Sequence, residues 1–336
     1  MTQTRNNQSI STNYYDVVNN FPWKEHVPFW YVGMMNDNYR NTSWEKAIKN
    51  AVTPGINVLD IGCGSGLLSL MAARAGAKQI IGCEANNLIA SKAREIIKLN
   101  KYDNQITIIP KSSFDLKIGV DLSERADLLI TELIGSQIIE SMIDQNYDIL
   151  SVYNHARTHL LKPTAKIIPS SVAAMGFLVS SDNEKLMKMN HVKDVCGFDL
   201  SPFNEYRTPF NYVSSETPWV YPYHQHSKDF EIFTFDFTKE LSLSDNKILH
   251  IPVTKPGSCS GIIQWIKCYS EDNVFFENHP KRLEKDMPHW YHVHYPFDDI
   301  INVKEGEMVR LMVEHNSENI FVYFDGIEKI NVHNRN

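Results

Sequence analysis

In the stretch "TELIGSQIIESM", which begins at Thr131, Glu132 and Glu140 are the only charged residues, and they follow directly on the apolar run "ADLLI". Two such acids are either ordinary surface groups at a strand end or a pair converging on something cationic. Earlier in the chain, "NVLDIGCGSGLLSLMAARAGA" carries Gly62, Gly64 and Gly66, with Asp60 just before them, and Glu84 closes the run "QIIGCE". Glycines at alternate positions let a backbone turn tightly and approach a ligand closely. The acids beside them restrict which ligand that can be.

The spacing GxGxG is not the GxGxxG of a dinucleotide fingerprint, because Leu67 stands where the third glycine would fall. Asp60 also places negative charge where a pyrophosphate on a helix N-terminus is disfavoured. S-adenosylmethionine suits the site better: it is a nucleoside carrying an amine and a sulfonium, so a carboxylate beside the loop helps, and Glu84 at a strand end can accept both ribose hydroxyls. The bland alternative is a structural turn in another α/β protein. For the pair Glu132 and Glu140, a fitting cation is a guanidinium, a planar fork of five N–H donors that carboxylates hold in paired contacts.

The elements that must position these groups alternate. From 56 to 135, the runs "INVLDI", "QIIGCE", "QITIIP" and "ADLLITEL" read as strands, with "GLLSLMAARAGA" and "LIASKAREIIKLN" as helices among them. That order implies right-handed crossovers, a parallel sheet and a ligand crevice at the carboxyl ends of the strands. After a junction near Pro163 to Pro169 come "EIFTFDF", "GIIQWIKCYS", "HWYHVHY", "EMVRLMVEH" and "IFVYF", the pattern of an antiparallel domain. The expected fold is therefore α/β: a Rossmann-like S-adenosylmethionine-binding domain over 51–169, then an antiparallel β-barrel-like domain over 170–336. An insertion at about 182–222 interrupts the second domain. Residues 1–50 form an aromatic and helical segment covering the cofactor, in which Tyr14, Tyr15, Phe29, Trp30 and Tyr31 either pack or form a lid.

The 336 residues carry Lys+Arg 33 against Asp+Glu 40, a formal charge of -7 that argues against nucleic acid or an anionic membrane as main partner. Five scattered cysteines without a CxxC pair indicate neither a disulfide framework nor a thiolate zinc site and fit a cytoplasmic protein. The polar start "MTQTRNNQSISTN" lacks an apolar core, and no run approaches the ~18 apolar residues of a membrane span. His292 with His294, and His224 with His226, could each offer two imidazoles on one strand face, but no third ligand is identifiable, so no metal is expected.

On "MMNDNYRN", "VLDIGCGSGLLSLMAARAGA", "TELIG" with "IESM", "HAR", "CGFDLS" and "PHW", in that order, the chain resembles the protein arginine methyltransferases, most closely their type III, monomethylating branch. The resemblance covers about residues 14 to 325. It implies that Arg40 contacts the carboxylate of S-adenosylmethionine, that Asp60, Gly62, Gly64 and Gly66 cradle its amino-acid part, and that Glu84 holds the ribose. Glu132 and Glu140 then resemble the double-glutamate loop that grips the substrate arginine, His289 and Trp290 the His-Trp loop, and Asp37 the acid paired with that histidine. Met34 lies against the pocket. Phe114 stands where the family has a glutamate reading the adenine amino group, leaving Ser113 or Asp115 for that role. The glutamates are eight positions apart, whereas the family spaces them nine apart, so this loop is one residue shorter. The insertion matches an arm through which family members dimerise, implying a homodimer.

The function implied is transfer of a methyl group to a terminal guanidino nitrogen of arginine in protein or peptide, as monomethylation. Glu132 and Glu140 would orient the guanidinium, and Glu140 or the Asp37/His289 pair would accept the departing proton. Two alternatives stand beside it: methylation of free L-arginine in small-molecule biosynthesis, and a non-catalytic methyltransferase-like scaffold.

Overall fold

The computed structural model describes residues 31–140, 148–181, 192–213, 222–271, 273–282 and 290–329. Two helices, α1 (Tyr31–Asn36) and α2 (Asn38–Ala51), lead into a parallel sheet of β1 (Asn57–Ile61), β2 (Gln79–Cys83), β3 (Ile106–Ile109), β4 (Ala126–Thr131) and β5 (Leu161–Ile168), in the order β3-β2-β1-β4-β5. The central strands are apolar nearly throughout because both faces are covered; Val58, Leu59, Ile80, Leu128, Leu129 and Ile130 are all buried. Helix α3 (Leu67–Arg74) follows β1 directly, and α4 (Asn87–Leu99) follows β2. Asn86 starts α4 by accepting from the N–H groups of Leu88 and Ile89. Ile89, Ala90, Ala93 and Ile97 form its buried stripe.

The sequence puts a junction at Pro163 to Pro169, yet β5 runs through Pro163 and pairs with β4 as a fifth parallel strand. A proline is tolerated there because β5 is the edge of the sheet and its outer side has no ladder to complete. Between β4 and β5, α5 (Ile149–His155) continues into a π-helical turn, Ala156–Leu160.

The rest is antiparallel. It comprises β6 (Ser171–Ser181), β7 (Asp194–Val195), β8 (Phe198–Asp199), β9 (Asn211–Val213), β10 (Tyr223–Gln225), β11 (Phe230–Asp236), β12 (Asp245–Pro252), β13 (Gly257–Ser270), β14 (Asn273–Glu277), β15 (His292–Val303), β16 (Glu307–His315) and β17 (Ile320–Lys329). The expected barrel-like domain is built from a seven-stranded sheet around β6, β13 and β15 and a three-stranded sheet, β12-β16-β17. One apolar core joins them to the parallel half, with Leu59 and Leu129 in the same cluster as Phe276, Tyr295 and Leu311.

Within the insertion, the described residues 192–213 hold the β7–β8 hairpin, a 3-10 turn over Ser201–Tyr206, and β9, which pairs with β15. The remaining parts of the expected arm, and the expected lid residues Tyr14, Tyr15, Phe29 and Trp30, lie outside the described residues.

The two halves meet at a flat stack of Tyr153 on Phe237, ring centroids 3.7 Å apart and 2° from parallel, both rings buried. Beside it, Asn154 exchanges two 2.9 Å hydrogen bonds with the backbone of Leu241. Phe237→Ala should lower stability by about 3–5 kcal/mol, seen as an earlier urea midpoint with an unchanged denaturant slope.

Candidate active site

Gly62, Gly64 and Gly66 have φ of 67°, 54° and 80°, the left-handed region in which a side chain is strained. That backbone lets the N–H groups of Gly62 and Cys63 both donate to the Cys83 carbonyl at 2.9 and 3.0 Å, tying the ends of β1 and β2 together. Glu84 is buried at the same edge and accepts from the N–H groups of Gly64 at 3.1 Å and Asn86 at 2.9 Å. Asp60, also buried, accepts from the Ser69 hydroxyl at 2.6 Å. Burial pushes Asp60 up to about 7, against the hydrogen bonds from Ser69, and raises Glu84 as well. Two desolvated acids at one strand edge favour a ligand that brings positive charge.

Beside the loop lies a cavity of about 40 Å³ lined by Tyr31, Met34, Met35, Arg40, Gly62 to Ser65, Leu67, Leu68, Glu132 and Leu133. The Tyr31 hydroxyl lies so close over Gly64 that even a methyl group there would strike it. Glycines, two buried acids and one buried arginine match the ammonium, sulfonium and carboxylate of S-adenosylmethionine. The volume is below the ~300 Å³ of ordinary ligand sites, and Tyr31 is among the side chains that line it. When bound, that cofactor supplies an electrophilic methyl group.

Arg40, on α2, is held at both ends. Its backbone N–H donates to Asp37, the helix cap, at 2.8 Å, and its guanidinium grips Glu132 with two contacts, Nε to Oε1 at 2.8 Å and Nη2 to Oε2. Nη1 donates to Asn41 Oδ1 at 2.6 Å. Arg40 and Glu132 are 3% and 5% exposed, and a fork-on-carboxylate contact at that depth is among the stronger polar contacts available.

Glu140 is placed differently. The loop after β4 doubles back at Gly135 and Ile138, which exchange backbone hydrogen bonds, and Ile138 adopts a positive φ of 69°. Glu140 Oε1 accepts from the N–H groups of Ser136 and, at 3.4 Å, Gln137, while Oε2 accepts from the hydroxyl of Tyr212 on β9. A side chain on Gly135 would collide with the Glu140 carboxylate. The antiparallel half fixes the loop from below. Trp290 Nε1 donates to the Ile134 carbonyl at 3.1 Å, and Gln264 Nε2 to the Ser136 carbonyl at 3.0 Å. Gln137 Nε2 donates at 3.1 Å to both the Tyr295 hydroxyl and the Ile320 carbonyl.

The structure thus gathers Met34, Arg40, Gly62, Gly64 and Glu132 around one cavity, with Asp60, Gly66 and Glu84 at the same strand edge. It does not bring Glu132 and Glu140 onto one guanidinium: the first holds Arg40, and the second is held by its own loop and Tyr212. Trp290, expected against the substrate, lies buried under the glutamate loop instead. Asp37 caps α2, and His289, its expected partner, lies outside the described residues. Ser113 is buried in the 3-10 turn Ser113–Asp115, where the Phe114 ring packs on His155 at 4.6 Å. His292 and His294 are both buried with imidazoles pushed down to about 4, the first bonded to the Asn278 carbonyl at 2.7 Å.

Sequence reading missed Gly135, Gln137 and Tyr212. Only Gly135 left a signal, as a glycine between the two glutamates.

The raised acids have a consequence for stability. The folded state keeps Asp60 protonated up to about pH 7 while the unfolded chain releases that proton near 3.8, so its contribution is fully present at low pH and is lost as pH rises between those values. Melting temperatures of Asp60→Asn and the parent across pH 4 to 8 should therefore converge at the acid end, with the parent falling behind as pH rises.

A family model described as ribosomal protein L11 methyltransferase (PrmA) matches residues 45–158, the span of the glycine loop and most of the parallel sheet. Among solved structures, the chain is similar to the Trypanosoma brucei PRMT1 enzyme-prozyme heterotetrameric complex with AdoHcy, with TM-score 0.73 and 21% identity over 88% of this chain and 93% of that one. It is also similar to Arabidopsis thaliana protein arginine methyltransferase 10, with TM-score 0.64 and 21% identity over 83% and 85%. The human protein arginine N-methyltransferase 9 is 28% identical over 90% of this chain, but only 38% of that relative's length is spanned. The arginine N(omega)-methyltransferase of Streptomyces achromogenes subsp. streptozoticus is 32% identical over 86% of this chain and 76% of its own length. The chain belongs to the arginine N-methyltransferase family and is an S-adenosylmethionine-dependent enzyme.

Proposed function

We propose that this protein transfers one methyl group from S-adenosylmethionine to a terminal guanidino nitrogen of an arginine presented in a protein or peptide. The observation that carries the reading is the cavity in which Glu132 faces the same space as the glycine loop and Met34. Glu132 already receives a guanidinium, that of Arg40, in the forked geometry a substrate arginine would use. The family role of Arg40 is to meet the donor's carboxylate, and that role draws the same guanidinium towards the glycine loop. Glu132 and Glu140 then orient the substrate guanidinium, and orientation supplies most of the rate. Monomethylation is the outcome that the type III resemblance of the sequence implies.

A second reading, free L-arginine as the acceptor, is favoured by one observation. The relative of which this chain spans three quarters is named for arginine alone, whereas the chain spans under half of the length of relatives named for protein arginine.

Purified protein with labelled donor, offered free arginine or an arginine-rich peptide, separates the two. The expected product by mass spectrometry is a peptide carrying a single methyl group per arginine, with Glu132→Gln slower by about a hundredfold or more. Donor binding by calorimetry without transfer to either acceptor would leave a non-catalytic scaffold.

The reading includes a cytoplasmic homodimer. Unpaired thiols at Cys63, Cys83, Cys196, Cys259 and Cys268 support a reducing compartment. No helix among the described residues is long and apolar enough to cross a membrane. On the insertion, Phe198, Phe203 and Tyr206 are 70%, 69% and 77% exposed, an apolar cluster that a second copy would cover. Phe198→Asp with Phe203→Asp should convert a dimer to a monomer by light scattering.

A further inference from the structure

Glu140 is 7% exposed and accepts three hydrogen bonds: from the backbone N–H groups of Ser136 and Gln137 on one oxygen, and from the Tyr212 hydroxyl on the other. A carboxylate offers about four lone-pair sites, so one remains for a ligand. The first two donors belong to the loop's own backbone and come with the turn. The third arrives from the far half of the molecule. Tyr212 sits on β9 opposite Val293 of β15, its ring edge-on to Phe210 at 5.6 Å, and Phe210 in turn meets Tyr295 at 6.1 Å. With 46% of its surface exposed, the Tyr212 side chain contributes little to the core, so the contact with Glu140 is its main engagement.

We propose that Tyr212 is a positioning residue for the methyl transfer: its hydroxyl holds one oxygen of Glu140 in place and leaves a single acceptor position for the substrate guanidinium. This rests on the reading that Glu140 faces the substrate arginine. Burial raises the Glu140 carboxyl above its ordinary range, and the Tyr212 hydrogen bond is the first of the contacts that limit the rise. Among the described residues, the titratable groups that face it are Tyr212 from β9 and Tyr295 from β15, phenols that burial pushes upward and that stay protonated through neutral pH. The carboxylate is therefore the group that changes charge in this corner. A neutral Glu140 would present an O–H in place of a lone pair and repel a guanidinium N–H. A Glu140 with two open positions would let the guanidinium rotate between them. The phenol opposes both outcomes.

Tyr212→Phe removes one oxygen and keeps the ring, so folding is undisturbed and the hydrogen bond alone is tested. Losing a bond to the charged form raises an acid's pKa. In the full-length protein, the acid limb of the kcat/KM profile for the arginine acceptor should move about one pH unit upward in Tyr212→Phe. On the acid side of the parent's limb the variant should be up to about tenfold slower than the parent, and it should recover as pH rises. Carbon NMR of glutamate-labelled protein, with the Glu140 signal identified by its loss in Glu140→Gln, should show the same upward shift without reference to activity. A superimposable pH profile, or an equal loss at every pH with the Glu140 titration unmoved, overturns the role of Tyr212 while leaving the enzyme's function intact. A moved Glu140 titration in a protein that methylates neither free arginine nor peptide overturns the functional reading and the proposal with it.

Discussion

A guanidinium locked on a carboxylate away from water, Arg40 on Glu132, connects the helix in front of the glycine loop to the end of β4. Removing two such charges from solvent is costly and is offset only when the geometry is good and the remaining donors are satisfied. Here each guanidinium nitrogen has one acceptor: Nε and Nη2 meet Glu132, and Nη1 meets Asn41. The pair fixes how far the α1–α2 segment stands from the strand edge. It thereby shapes the space between the donor loop and the acceptor carboxylate until the donor draws the guanidinium away. Taking out either partner alone would strand a buried charge.

Around that pair the molecule divides its labour between two kinds of structure. The donor side is made of backbone: positive-φ glycines, N–H groups aimed at Glu84, and strand ends in register across β1 and β2. The acceptor side is made of side chains reaching from the antiparallel half. Trp290, Gln264, Tyr295 and Tyr212 each meet the loop or its glutamate at a different point. Such a loop is held to a defined shape by its neighbours more than by the seven residues between the glutamates.

That division explains how much was legible in the sequence. The alternation of strands and helices, the glycine loop and the acids beside it are local patterns, and Asp60, Gly62, Gly64 and Glu84 stand at one strand edge as their spacing implies. β5 was obscured because Pro163 reads as a breaker, and only its place at the sheet edge makes it harmless. Which antiparallel strands pair with which was not legible either, since alternation gives the faces of a strand but not its neighbours. Tyr212 lies in "TPFNYVSS", seventy-two positions from Glu140, with nothing in its surroundings to announce a polar task. The different partners of Glu132 and Glu140 were hidden for the same reason: the contact of Arg40 spans ninety-two positions.

The fastening of the loop by distant strands bears on how this chain can be divided. A fragment ending after β5 would retain the parallel sheet and the glycine turn, and would look like a self-sufficient nucleoside-binding unit. It would also leave the carbonyls of Ile134 and Ser136 and the amide of Gln137 without the groups that satisfy them, each a liability of about 1–3 kcal/mol away from water. The acceptor half of the site is therefore not portable: it exists only where both halves are folded together, down to the carbonyl of Ile320 at the start of the last described strand.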